Sequence, residues 1–146
     1  MAEESYTIVQ NILRISAYLS RVSDRVSKKY NLNQQQFAIL NEICSYENLI
    51  QKDLVDNLFY EKSNVSKVVK KMIKLGLIDW EVEEDDNRVK YLIATEEGEE
   101  LWRNCLEDTQ EWCESWLKEL SSDEIAEALN ITERIKENIQ EERSAL

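Results

Sequence analysis

The sequence predicts a mainly α chain with a small β-hairpin wing: a winged helix-turn-helix flanked by long helices at both ends. Three observations predict it. The first is a cationic amphipathic stretch, Glu61–Leu75, whose lysines at 62, 67, 70, 71 and 74 are interrupted by no acidic residue from Lys62 onward. The second is the segment after Gly76, where two runs rich in β-branched and aromatic residues bracket a turn built from Asp and Asn. The third is punctuation: two glycines and no proline in 146 residues leave few forced breaks, so long helices with short connections are expected.

Taken in order, residues 4–30 read as one long helix. Ile8, Ile12, Ile15, Leu19, Val22 and Val26 form its apolar seam, widened by Val9 and Leu13. A helix this long, apolar to its start, usually needs a partner beyond a small core. Asn33 and Gln36 make an N-x-x-Q start signal for the next helix, which Phe37, Leu40, Ile43 and Cys44 carry to about Tyr46. A third helix is expected over Gln51–Leu58 with Leu54, Val55 and Leu58 buried, followed by a tight turn at 59–62. In the lysine stretch Val65, Val68, Val69, Met72, Ile73 and Leu75 share one side. Ser63, Lys67, Lys70 and Lys74 lie opposite, flanked by Ser66 and Lys71.

Gly76 is a natural helix stop, and strands are expected over Leu77–Glu83 and Val89–Thr95. Thr95 can cap a fifth helix that reaches about Leu120, with Leu101, Cys105, Trp112, Trp116 and Leu120 inward. Ser121-Ser122-Asp123-Glu124 is a capping box for a last helix to about Arg143, apolar at Ile125, Leu129, Ile135 and Ile139.

A chain of 146 residues should bury about 68–70% of its unfolded surface and build a core without staples. No apolar run approaches the ~18 residues of a membrane span, and MAEESYTIVQ is no signal peptide, so a cytoplasmic location is expected. Without histidine there is no Ser-His-Asp or Cys-His pair and no ordinary histidine metal site. Cys44, Cys105 and Cys113 form no CxxC pair. Cys105 and Cys113 stand about 12 Å apart along a helix, too far for a disulfide. All three read as small apolar core or interface residues. No enzyme, metal or cofactor is expected.

Charge is unevenly placed. The chain carries −12, yet residues 62–78 carry +5 and residues 79–100 carry −8. Lysines also solvate the outside of ordinary amphipathic helices, so the lysine helix alone leaves two readings open. Two short helices, the second with a cationic face, followed by a hairpin favour the one in which that face meets phosphates and base edges.

At this point the chain resembles the MarR family of transcriptional regulators. The likeness covers nearly its whole length and centres on QKDLVDNLFYEKSNVSKVVKKMIKLGLI (51–78) and EDDNRVKYLIATEEG (84–98). The family's acid-x-Arg wing tip and Leu-Thr-x-x-Gly are matched by Asp86, Arg88, Thr95 and Gly98.

The resemblance implies one MarR-type domain over 1–146, with 31–98 the DNA-binding part and 1–30 and 99–146 a helical dimerisation part. It implies a homodimer on a pseudo-palindromic double-stranded operator, with Ile8, Ile12, Ile125, Leu129, Ile135 and Ile139 at the interface. Ser63, Asn64, Ser66, Lys67, Lys70, Lys71 and Lys74 would occupy the recognition face. Arg88 and Lys90 would serve the wing, with Asp86 orienting Arg88, and Gln35 and Lys52 would be further phosphate contacts. A small lipophilic or phenolic effector would sit between the winged part and the dimer helices, where Tyr18, Tyr30, Tyr46, Trp80 and Trp102 are possible lining residues.

The wing departs from the family, which is usually basic there. Asp79, Glu81, Glu83, Glu84, Asp85 and Asp86 crowd it, and Asn87 stands where a second arginine is expected. Acids beside a minor groove oppose binding. The alternative is a winged-helix interaction module whose acidic wing meets a basic protein. A thiol sensor is a third reading, although residues 1–30 contain no cysteine.

Overall fold

Side-chain caps set where three of the six helices begin. Asn33 Oδ1 accepts from the Gln36 backbone N–H (2.8 Å) while Gln36 Oε1 accepts from that of Asn33 (3.0 Å). Ser121 and Glu124 repeat the exchange at 3.2 and 2.8 Å. Thr95 Oγ1 accepts from Gly98 N–H at 3.1 Å. Each satisfies donors that the first helical turn leaves free.

The computed structural model describes residues 1–146. The elements are α1 (Ala2–Lys28), α2 (Gln34–Ser45), α3 (Gln51–Leu58), α4 (Lys62–Lys74), β1 (Ile78–Val82), β2 (Lys90–Ala94), α5 (Glu96–Leu117) and α6 (Ser122–Ala145). The strands pair antiparallel, with Ile78 opposite Ala94, Trp80 opposite Leu92 and Val82 opposite Lys90. Leu92 also donates its N–H to Leu49 O at 2.8 Å, fastening the hairpin to the loop between α2 and α3.

The core sits where α2 meets its neighbours. Ile39 and Leu40 of α2, Leu54 of α3, Val65, Val69 and Met72 of α4, Ile78, Leu92 and Cys105 are all essentially without solvent contact. The helix-turn-helix and the hairpin therefore share one apolar cluster with the first half of α5. Phe59 closes α3 in the left-handed conformation (φ 56°), which costs a non-glycine residue roughly 1–2 kcal/mol.

Several burial expectations need correcting. Val55 and Leu58 are only partly buried. Leu75 is exposed, because α4 stops at Lys74 and Gly76 (φ 77°) turns the chain away before Leu75 can close on the core. Trp116 and Leu120 are also exposed, because the far half of α5 runs beyond the winged part.

The total surface carries the same message. The chain exposes 10881 Å², whereas a compact monomer of 17.3 kDa exposes roughly 7,800 Å². Against an extended chain this is about 57% burial, short of the 68–70% typical of the size. The shortfall comes from α1 and α6, which project apolar faces away from the core. No helix is long and apolar enough to cross a membrane.

Candidate nucleic-acid interface

Helix α4 separates its two faces cleanly. Val65, Val69 and Met72 are buried, Val68 and Ile73 pack partly against the core, and Asn64 and Ser66 are half-buried at the margins. Ser63, Lys62, Lys67, Lys70, Lys71 and Lys74 face solvent. None of the five lysines lies within 4.0 Å of a carboxylate; the chain's seven ion pairs all involve other cations. The +5 of this helix is therefore not neutralised locally, despite thirty acidic residues in the chain.

The hairpin places Arg88 at its tip with 92% of the side chain exposed. Asp86 accepts from the Arg88 backbone N–H (3.0 Å), Nε (3.1 Å) and Nη2 (3.3 Å). The guanidinium beside Asp86 holds that carboxyl below the usual range. A pair this exposed adds little stability, but it fixes the direction of the arginine. Lys90 is exposed further down the hairpin, as are Asp79, Glu81, Glu84 and Asp85, while Glu83 accepts from the Tyr91 hydroxyl at 3.3 Å. Gln35 is half-buried in the first turn of α2, and Lys52, exposed in the first turn of α3, lies 2.6 Å from Asp56.

Thr95 and Gly98 fasten the end of α4 to the start of α5. Thr95 Oγ1 donates to Gly76 O at 2.6 Å. A Cβ on Gly98 would stand 2.0 Å from Leu77 O, so only glycine admits that approach. Residue order alone gives no hint of the close contact.

A second feature lies away from the lysines. Ile12, Ile15 and Leu19 of α1 face Trp112, Cys113 and Trp116 of α5 across a cleft of about 530 Å³, with Thr132 of α6 at its edge. The two tryptophan rings stand 6.0 Å apart at 53°. None of the five aromatics considered for such a cleft lines it. The Tyr30 hydroxyl donates to Asp108, and Trp102 Nε1 donates to Asn41 Oδ1 at 2.9 Å. Trp80 packs on the core, Tyr46 lines a separate groove beside β2, and Tyr18 is exposed. The sequence places Trp112 and Trp116 on the inward side of the fifth helix, but only the placement of α1 and α6 turns that side into a cleft.

Burial pushes the Cys44 thiol up to about 11 and also raises those of Cys105 and Cys113. On the projecting helices, Ile8 is 53% exposed, Ile12 44%, Leu129 60% and Ile139 41%, with Ile125 and Ile135 half-buried.

The MarR family model matches residues 30–88, from just after α1 through the wing tip. The winged helix-turn-helix of this chain is thus similar to that of the MarR family. An uncharacterised HTH-type transcriptional regulator of Staphylococcus aureus (strain Mu50) is 25% identical over 124 residues, 84% of this chain and 85% of that protein. A MarR-family transcriptional regulator from Listeria monocytogenes, solved in complex with 26mer DNA, is 28% identical with a TM-score of 0.85. The likeness covers 92% of this chain and 89% of that one. The Staphylococcus aureus MarR structure in complex with salicylate and kanamycin is 24% identical, with a TM-score of 0.79 over 94% of this chain and 93% of that one. At that identity the likeness is one of fold. The MarR-type architecture thus extends over the six helices and the hairpin, and the family is one of transcriptional regulators rather than enzymes.

Proposed function

We propose that this chain is a sequence-specific repressor that binds double-stranded DNA as a homodimer. The observation that carries the proposal is the unneutralised lysine face of α4, packed on the same core as the hairpin that bears the exposed Arg88. Lys67, Lys70, Lys71 and Lys74 would meet phosphates, and Ser63, Asn64 and Ser66 would reach base edges. Arg88, oriented by Asp86, would enter the flanking minor groove with Lys90 nearby, and Gln35 and Lys52 would touch phosphates from the first turns of α2 and α3.

Residues 31–98 would form the DNA-binding part, and 1–30 with 99–146 the pairing part. Surplus exposed surface of roughly 3,000 Å², with Ile8, Ile12, Leu129 and Ile139 in it, supports pairing through α1 and α6. Two-fold pairing would demand an operator with half-sites about 34–36 Å apart. The cleft between α1 and α5 has the volume and apolar lining of a small-molecule site, and supports release by a lipophilic or phenolic effector.

The test combines sedimentation with fluorescence anisotropy on DNA from upstream of the protein's own gene and on a scrambled duplex. The expected result is a dimer that prefers the upstream DNA at least a hundredfold. A monomer, or equal affinity for both duplexes, would overturn the proposal. Retention of basic proteins without any DNA preference would favour the acidic wing as a protein-docking element instead.

A further inference from the structure

Helix α3 ends without the usual closure. Phe59 follows it in the left-handed conformation, where glycine is common. No backbone N–H from beyond α3 reaches the carbonyl of Val55 or Asp56, although those groups lie in the last turn.

Their donors come from the far end of the chain. Arg143 Nη1 donates to Val55 O at 3.3 Å, and Gln140 Nε2 donates to Asp56 O at 3.4 Å. The Arg143 guanidinium carbon also lies 5.4 Å from the centre of the Phe59 ring, within cation–π range. Two side chains of α6 therefore supply the cap that α3 lacks. They grip the turn from which the lysine helix starts.

We propose that the end of α6 is a latch that holds the α3–α4 turn and so fixes the angle of α4 relative to the pairing helices. Gln140 and Arg143 are its positioning residues. The proposal rests on the reading of the chain as a DNA-binding dimer. Reading two half-sites at once requires a fixed separation of two α4 helices, and α6 carries both the apolar seam (Leu129, Ile139) and the grip.

The test uses the full chain with Arg143→Ala, Gln140→Ala and Arg143→Lys. Amide hydrogen exchange is followed in the free protein. Affinity is measured on duplexes carrying both halves, or one half, of the footprint in the upstream DNA. Arg143→Ala is expected to stay dimeric and to speed exchange at residues 58–65 about tenfold. It should lose about tenfold in affinity on the two-half duplex and less than twofold on the single half. Gln140→Ala should show smaller changes in the same direction. Arg143→Lys, which keeps a cation over Phe59 and a donor for Val55, should recover most of the loss.

Unchanged exchange at 58–65 would overturn the latch, as would unchanged two-half affinity or equal losses on both duplexes. Wild-type protein that ignores the upstream DNA would end the reading under Proposed function, and exchange at the turn would then decide the latch alone.

Discussion

Tyr30 donates its hydroxyl to Asp108 across 2.8 Å, tying the residues after α1 to the middle of α5. Lys29 Nζ lies 3.4 Å from the same carboxylate oxygen. The hydrogen bond to Asp108, helped by burial, pushes the Tyr30 hydroxyl up to about 12. In return the hydroxyl holds the Asp108 carboxyl below its ordinary range. This link joins the residues after α1 to α5.

Stability should follow that link through pH. The raised tyrosine contributes fully below its unfolded value of about 10, and the contribution is lost as pH climbs from there through about 12. The depressed aspartate contributes above its unfolded value of about 4 and loses that as pH falls through its folded value. Tyr30→Phe should therefore unfold at lower urea than wild type between those limits, with the gap closing at both ends. Urea midpoints across pH give the comparison, and a gap that stays constant would refute the coupling.

Gly98 should be the least replaceable glycine. At Gly98→Ala the new carbon meets a backbone carbonyl at 2.0 Å, which no rotamer can relieve. Gly76→Ala meets only the end of the Glu97 side chain at 3.9 Å and suffers from its φ of 77° alone. Gly98→Ala should cost about 3 kcal/mol or more, and Gly76→Ala about 1 kcal/mol. Chemical denaturation of the two variants would show the order, and a reversal would mean that the α4–α5 junction yields more easily than its geometry indicates.

Much of this fold is written in local signals. The Asn33 and Ser121 caps, the Gln51–Leu58 helix and the hairpin flanking an Asp-rich turn all occur where spacing and residue type place them. The division of α4 into apolar and lysine faces is equally local, since a period near 3.6 decides it within thirteen residues. What was not legible depends on contacts between distant segments. Leu75 and Trp116 look like core residues by spacing, and only the path of the chain around them leaves them exposed. Arg143 reads as an ordinary charge near a helix end until the α3 carbonyl 88 residues earlier arrives beside it.

The thiols offer a check on the sensor reading. All three are shifted upward, Cys44 to about 11 with burial as the main cause and Glu99 adding to it. Alkylation at pH 7.5 should be far slower than for a free cysteine, which ionises near 8.5, and should accelerate as pH rises toward 11. Brief exposure to peroxide should leave DNA affinity unchanged within twofold. Rapid alkylation at neutral pH, or loss of binding on oxidation, would revive a thiol-based mechanism.

The acidic wing allows the sharpest test of how DNA would be held. Each lysine that meets a phosphate releases counterions, so replacing Lys67 or Lys70 by alanine should lower affinity on every sequence and reduce the salt slope by about one. Arg88→Ala should act more selectively, weakening binding most where the flanking minor groove is narrow. Glu84 and Asp85 are exposed beside the tip arginine, so if the wing approaches the minor groove they oppose its negative potential. Glu84→Gln with Asp85→Asn should then tighten binding by about fivefold at low salt, with the gain shrinking as salt screens it. Anisotropy titrations at several salt concentrations measure all of these changes. Tightening abolished by Arg88→Ala would place the wing at the duplex, whereas no tightening at any salt would place it elsewhere and leave α4 to bind alone.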